Sequence, residues 1–152
     1  MEKLKVLVDS DVLLNWLIKE QESGTGKQLW ESPYRIISLA QNNNLVCYVS
    51  LISLLELQFV LRRKKKRSEE DIELDLDLII DELEILIPDE VTLVQAYSLQ
   101  KEYYLDPFNS ILLSQLVGHD ITLVSRDKDF IDNAIKANIR AYNPETFLEE
   151  NY

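Results

Sequence analysis

A single cysteine, three glycines and four prolines stand in a chain of 152 residues, and each scarcity closes off a possibility. One thiol cannot form an intramolecular disulfide, so Cys47, set in the apolar stretch Leu45–Val49, is expected to be a reduced core residue. So few glycines and prolines leave little room for long linkers. The length is that of one domain, which should bury roughly 68–70% of its unfolded surface. We therefore expect a single domain over residues 1–152, rich in helix. No apolar run approaches the ~18 residues needed to span a bilayer. The opening Met-Glu-Lys-Leu-Lys also lacks the apolar stretch of a signal peptide. The expectation is a cytoplasmic protein without a membrane partner.

Positive charge is the other shortage. Sixteen Lys and Arg face twenty-seven Asp and Glu, a net charge of −11. Nucleic-acid binders usually carry a basic surplus, because neutralising phosphates drives their affinity. The deficit weighs against nucleic acid as a partner. Net charge does not report where charges sit, however, and six of the sixteen cations form one run: Arg62, Arg63, Lys64, Lys65, Lys66 and Arg67. That run is either a solvated helix end paired with Glu69, Glu70 and Asp71, or a local patch that draws in a polyanion.

What the chain does have is alternation of two kinds of apolar segment. Leu4–Val8, Leu45–Val49 and Ile121–Val124 are short runs suited to strands buried on both faces, and Ile139–Tyr142 is a fourth, shorter candidate. Between them lie helical stretches. Val12–Ile18 is one, and another falls between Pro33 and Gln41, with Pro33 at a first helical position. Ser50–Leu61 is apolar nearly all round and predicts a buried helix. Ser68 caps an acidic helix whose Ile72, Leu76, Ile79, Ile80 and Leu83 form one stripe. Val91–Tyr103 and a helix opened by Asp106-Pro107 follow, the latter ending near Gly118, and Pro144–Glu149 closes the chain. Strands alternating with helices predict an α/β fold with a largely parallel sheet.

Functional groups in such sheets gather at the carboxyl ends of the strands. Asp9 directly follows the first strand and Asp127 lies just past the third. A lone acid there is most often a turn or cap residue, but two on neighbouring strands would crowd like charges and demand a cation or a proton. Glu56 sits inside SLISLLELQFVL, where a solvated face is hard to find, and an unpaired buried carboxylate costs several kcal/mol. Asp106 before Pro107 has the form of a helix N-cap, with Asn109 on about the same face. Together Asp9, Glu56, Asp106 and Asp127 are an all-oxygen set without histidine or cysteine, suited to Mg²⁺ or Mn²⁺ and not to zinc. Such a site suggests phosphate chemistry. His119, beside Gly118, reads as a turn residue, and Trp16 and Trp30 as core or interface.

These segments resemble a known family. VLVDSDVLL is similar to the opening strand of PIN domains, and SLISLLEL to their second motif, a hydroxyl-bearing helix start followed by a glutamate. DPFNSILLSQLVGHDITLVSRDKDF resembles their third and fourth motifs run together, ending in a T/S-x-D-x-x-F signature, and RAYNPETFLEE resembles the tail. The resemblance implies a PIN-like, Rossmann-type three-layer fold, a parallel sheet flanked by helices, with an acidic Mg²⁺ or Mn²⁺ site and endoribonuclease activity. By position, Asp9, Glu56 and Asp127 match the first, second and fourth acids, and Ser125 the supporting hydroxyl. Asn109 stands where the third acid is expected, and Asp106, one turn earlier, is the candidate to supply that charge. Asp11 and Asp129 are further acids beside the set. The resemblance also implies an RNA substrate, a homodimer and, as in VapC-type toxins, an antitoxin partner. Two rivals remain: a PIN domain that binds RNA or protein without cutting, and a haloacid-dehalogenase-type phosphatase, whose DxDxT/V motif DSDVL resembles but whose later glycine–acid pair is missing.

Overall fold

The computed structural model describes residues 2–152. In chain order the elements are β1 (Leu4–Val8), α1 (Ser10–Ile18), α2 (Glu31–Gln41), β2 (Leu45–Ser50), α3 (Leu51–Arg63) and α4 (Glu69–Glu82). They continue with β3 (Glu84–Leu86), α5 (Glu90–Tyr103), α6 (Pro107–Leu116), β4 (Thr122–Val124), α7 (Lys128–Lys136), β5 (Ala141–Tyr142) and α8 (Pro144–Asn151). The five strands form one sheet in the order β3-β2-β1-β4-β5, and every neighbouring pair is parallel. This is the α/β architecture expected from the alternation.

Period-two alternation along β1 divides the core. Val6 and Val8 face one way, into a cluster with Ile36, Ile37, Leu57 and Phe147, which come from α2, α3 and α8. Leu7 faces the other way, against Leu112, Leu113, Leu123 and Phe130, the first two from α6 and the last from α7. The central strands are apolar on both faces because helices cover both. Cys47 lies in the first cluster and its thiol is pushed up to about 12 by burial, so it is an inert core group.

Three local expectations need correction. The helix expected to be buried all round, α3, leaves Leu55 57% and Phe59 56% exposed on one side. In α4 the stripe is narrower than expected, since Ile80 is 52% exposed while Ile72 and Ile79 are buried. Pro33 lies at the third position of α2, which begins at Glu31, still within the turn whose N–H groups have no intrahelical acceptor. The edge strand β3 was unforeseen as a strand: three residues between Leu83 and Ile87 carry too little pattern to identify.

The chain turns at the place that matters. From β1 the path runs outward through β2 to β3, then crosses back so that β4 pairs with β1 on its other side. The carboxyl ends of β1 and β4 therefore meet at the point where strand order reverses, the usual position of a cleft in such sheets.

Candidate active site

Asp9 leaves β1 at that point and does two jobs. Its backbone N–H donates to Val124 O of β4 at 3.0 Å, tying the two strand ends together. Its side chain caps α1, accepting from the Ser10 N–H at 2.8 Å, and also accepts from Ser125 Oγ at 2.9 Å. The carboxylate is buried. Burial pushes it up to about 8, with the charges of Asp11 and then Glu56 adding to the rise, while Ser125 and Ser10 pull the other way.

Around it the structure assembles residues from distant parts of the chain. Ser10 donates its hydroxyl to Glu56 Oε1, linking α1 to α3. Asp11, on the first turn of α1, accepts from the Arg126 N–H at 3.2 and 3.3 Å and is pushed up to about 6, chiefly by burial. Ser125 Oγ accepts from the Asp127 N–H at 3.0 Å. Asp127 caps α7 through the Phe130 N–H at 3.1 Å, and its other oxygen accepts from Asn109 Nδ2 at 3.4 Å. None of Asp9, Asp11, Glu56 or Asp127 has a Lys, Arg or His within ion-pair distance among the described residues. A carboxyl-rich edge results, held by hydroxyl and amide donors.

The third position is where chemistry changes. Asn109 brings a neutral amide to Asp127. Asp106 caps α6, accepting from the Asn109 N–H at 2.9 Å, and is exposed. Pro107 takes the first helical position, as expected. Asp129 is exposed in the first turn of α7 and contributes no contact to the edge. Asp11, in contrast, is drawn in more closely than its place in DSDVL suggested.

Two features were missed in the sequence. The first is the side chain of Arg126, whose guanidinium contacts three separate segments; SRDKDF gives no hint of its partners. The second is a groove of about 860 Å³ whose lining includes Ser10, Asp11 and Glu56. Leu14, Leu55, Phe59 and Phe108 also line it, with Lys64 and Lys65. The exposed side of α3 lines this groove, which explains why its apolar residues are uncovered.

The basic run divides in two. Arg62 pairs with Glu69 and Arg67 with Asp75, the latter at 2.9 Å, and these pairs hold the start of α4. Glu70 and Asp71 take no part in salt bridges among the described residues. Lys65 approaches Glu20 at 3.9 Å, and Arg63, Lys64 and Lys66 have no acidic partner among the described residues.

A divalent cation fits the donor set in kind, since all the acids are hard oxygen ligands and a carboxyl pushed up to about 8 beside further acids calls for a positive charge. As placed, no three acidic, His or Cys side chains among the described residues converge on one point. Mg²⁺ is commonly bound by one or two carboxylates and completed by water and phosphate oxygens. Asp9, Asp11, Glu56 and Asp127 are the residues able to hold it here.

The PIN domain model matches residues 6–136. The chain belongs to the PIN domain family. No curated protein matches it by sequence. Among solved structures it resembles VapBC2 from Rickettsia felis bound to a promoter DNA fragment, with a TM-score of 0.69 at 19% identity, covering 92% of this chain and 98% of that one. It resembles a Pyrobaculum aerophilum protein with a TM-score of 0.68 at 12% identity, covering 97% and 88%. A toxin–antitoxin complex from Klebsiella pneumoniae gives 0.63 at 17% identity, covering 92% and 98%. At these identities the likeness is one of fold. Membership of the PIN family removes the phosphatase rival, and no helix among the described residues is long and apolar enough to cross a membrane.

Proposed function

We propose that this PIN domain is a nuclease that hydrolyses phosphodiester bonds of single-stranded RNA at the acidic edge, with Mg²⁺ or Mn²⁺ as cofactor. The observation that carries the reading is that Asp9, Asp11, Glu56 and Asp127 are linked along one strand-end edge through Ser10, Ser125 and the Arg126 N–H, with no salt-bridge partner among the described residues. When bound, a hard divalent cation supplies activation of water and neutralises charge on the phosphoryl group. The chain's own residues supply the rest. Asp9, Asp11, Glu56 and Asp127 would hold the cation, with Asp106, at the exposed cap of α6, as a candidate further carboxylate, and Ser125 and Ser10 orient Asp9 and Glu56 by hydrogen bonds. Asn109 holds Asp127 in place. Lys64 and Lys65, in the lining of the groove, with Arg63 and Lys66 next to them in sequence, would attract the RNA backbone; Arg62 and Arg67, already paired, contribute less.

One specific observation favours a second reading. The neutral amide at Asn109 removes a charge from the edge, which would suit a domain that binds RNA or protein and does not cut. Calorimetric titration of Mn²⁺ into the protein, combined with a cleavage assay on single-stranded RNA, separates the two. Metal binding with cleavage supports the nuclease; neither one leaves the binding module.

The toxin–antitoxin complex among the structural neighbours supports a further assignment, that the chain is the toxin of such a pair, acts in the cytoplasm and is neutralised by an antitoxin protein. Growth arrest on expression, relieved by co-expressing the partner, is the expected result. We also propose a homodimer. Val91, Val94 and Tyr97 lie exposed on one side of α5, an apolar patch of the kind that marks association surfaces. Tyr97→Asp should convert the dimer to a monomer in light scattering; a wild type that is already monomeric would remove the proposal.

A further inference from the structure

Three residues between β4 and α7 serve all the aspartates of the edge. Ser125 donates to Asp9, the Arg126 N–H donates to Asp11, and Asp127 is itself an acid of the set. The separation of these acids is therefore set by where this short segment rests against α1. The pairing of β4 with β1 and the Arg126 N–H to Asp11 bring the segment beside α1. The side chain of Arg126 adds three further holds.

The guanidinium of Arg126 makes three contacts with three parts of the chain. Nε donates to Asn15 Oδ1, Nη1 donates to Glu145 Oε1 at 3.0 Å, and Nη2 donates to Leu29 O at 2.8 Å. Each partner is itself held. Asn15 is buried and donates through Nδ2 to Glu20 at 2.8 Å, and Glu145 is also paired with Lys27 at 3.2 Å. Asn15 lies one helical turn beyond Asp11 on the same side of α1. Arg126 thus grips α1 twice, at Asp11 through its backbone and at Asn15 through its fork.

We propose that Arg126 is the positioning residue of the acidic edge: its guanidinium locks the Ser125–Asp127 segment onto α1, the α1–α2 connection and α8, and so sets the spacing of Asp9, Asp11 and Asp127. This rests on the reading of that edge as the nuclease site. The role depends on a planar fork with several fixed donors, which lysine does not possess. A residue that supplied only positive charge would be replaced by lysine without loss.

The test compares wild type, Arg126→Met and Arg126→Lys by amide hydrogen exchange, Mn²⁺ calorimetry and RNA cleavage. Both variants should retain the far-UV circular dichroism of the wild type. The amides of residues 126 and 127 should exchange about tenfold faster or more in Arg126→Met, while those of β1 and β2 keep their protection. Mn²⁺ affinity should fall by about 10-fold to 100-fold, the range for losing a partner that orients a metal ligand, and kcat should fall with KM nearly unchanged. Lysine should restore little of either. Unchanged exchange at 126 and 127, or full rescue by lysine, overturns the proposal. If the wild type neither binds Mn²⁺ nor cleaves RNA, the nuclease reading fails, and the exchange data still decide whether Arg126 locks the segment. Should Arg126→Met fail to fold, Arg126→Lys carries the same comparison.

Discussion

Asp9 and Asp106 begin as the same object. Each follows an apolar segment, each caps the helix after it, and each accepts a backbone N–H through one carboxylate oxygen. Their surroundings separate them. The α1 turn lies between two strand ends, so Asp9 is buried with Asp11 and Glu56 nearby, whereas the α6 turn projects from the end of α5 and leaves Asp106 exposed. Capping needs only a side-chain oxygen, which either site supplies. Reactive charge needs a place where water cannot screen it, and only the strand-end crevice has that.

The largest expected effects lie on the buried side. Asp9→Asn and Glu56→Gln should each reduce RNA cleavage by more than about 100-fold, beyond what losing a merely supporting partner costs a metal site. Circular dichroism should be unchanged, because asparagine still caps α1. Cleavage by both variants at the wild-type rate would dissolve the contrast between the two aspartates.

A pH dependence follows from burial. The Asp9 carboxyl titrates near 8 in the folded protein against an ordinary value of 3.8. Between those values the folded state holds a proton that the unfolded state has lost, so stability is fullest below about 4 and falls as pH rises toward 8. Asp11, pushed up to about 6, acts in the same direction. Metal-free protein should melt several degrees lower at pH 8 than at pH 5. Asp9→Asn should raise the pH 8 melting point by about 3 °C or more, and Mn²⁺ should raise that of the wild type. A flat melting curve from pH 5 to 8 in chelator would mean that Asp9 is not held as the structure places it.

The basic run sharpens the comparison from outside. Neutralising Lys64 and Lys65 to Gln should lower the salt slope of RNA binding by about 1.4, at roughly 0.7 per lost contact on a single strand. Neutralising Arg62 and Arg67 should instead loosen α4 and leave the slope nearly unchanged. Equal slopes for the lysine variant and the wild type would move the RNA path away from the groove.

The smallest effect belongs to Asp106. Serine there should keep stability within a few tenths of a kcal/mol, whereas alanine should lose about 1 kcal/mol, the usual worth of an N-cap. If Asp106→Ser also keeps full Mn²⁺ affinity, the residue is a cap and nothing more. A tenfold loss of affinity would make it the acid that compensates for Asn109.

Most of the architecture was legible before the structure. Leu4–Val8 and Leu45–Val49 read as strands from their apolar composition and lie at the centre of the sheet, and Ser68 and Asp106 cap helices whose starts their side chains announce. Where reading failed, the cause was context. Nothing within α3 tells Leu57, which is buried, from Leu55, which faces a groove; that depends on which helices pack beside it. Nothing in the basic run tells Arg62 and Arg67 from Lys64 and Lys65.

Periodicity and capping act over a few residues, so the sequence by itself determined the order of strands and helices and brought Asp9 and Asp127 close to strand ends. The site is a different matter. Ser10 meets Glu56 across 46 residues, Asn109 meets Asp127 across 18, and Ser125 meets Asp9 across 116. The first needs α3 packed on α1, and the last arises only once β4 has crossed back to lie beside β1. The burial that pushes Asp9 upward, the mutual charge of the acids and the three-way grip of Arg126 are properties of that meeting, because solvent exclusion and Coulomb interaction depend on distance in space and not on distance along the chain.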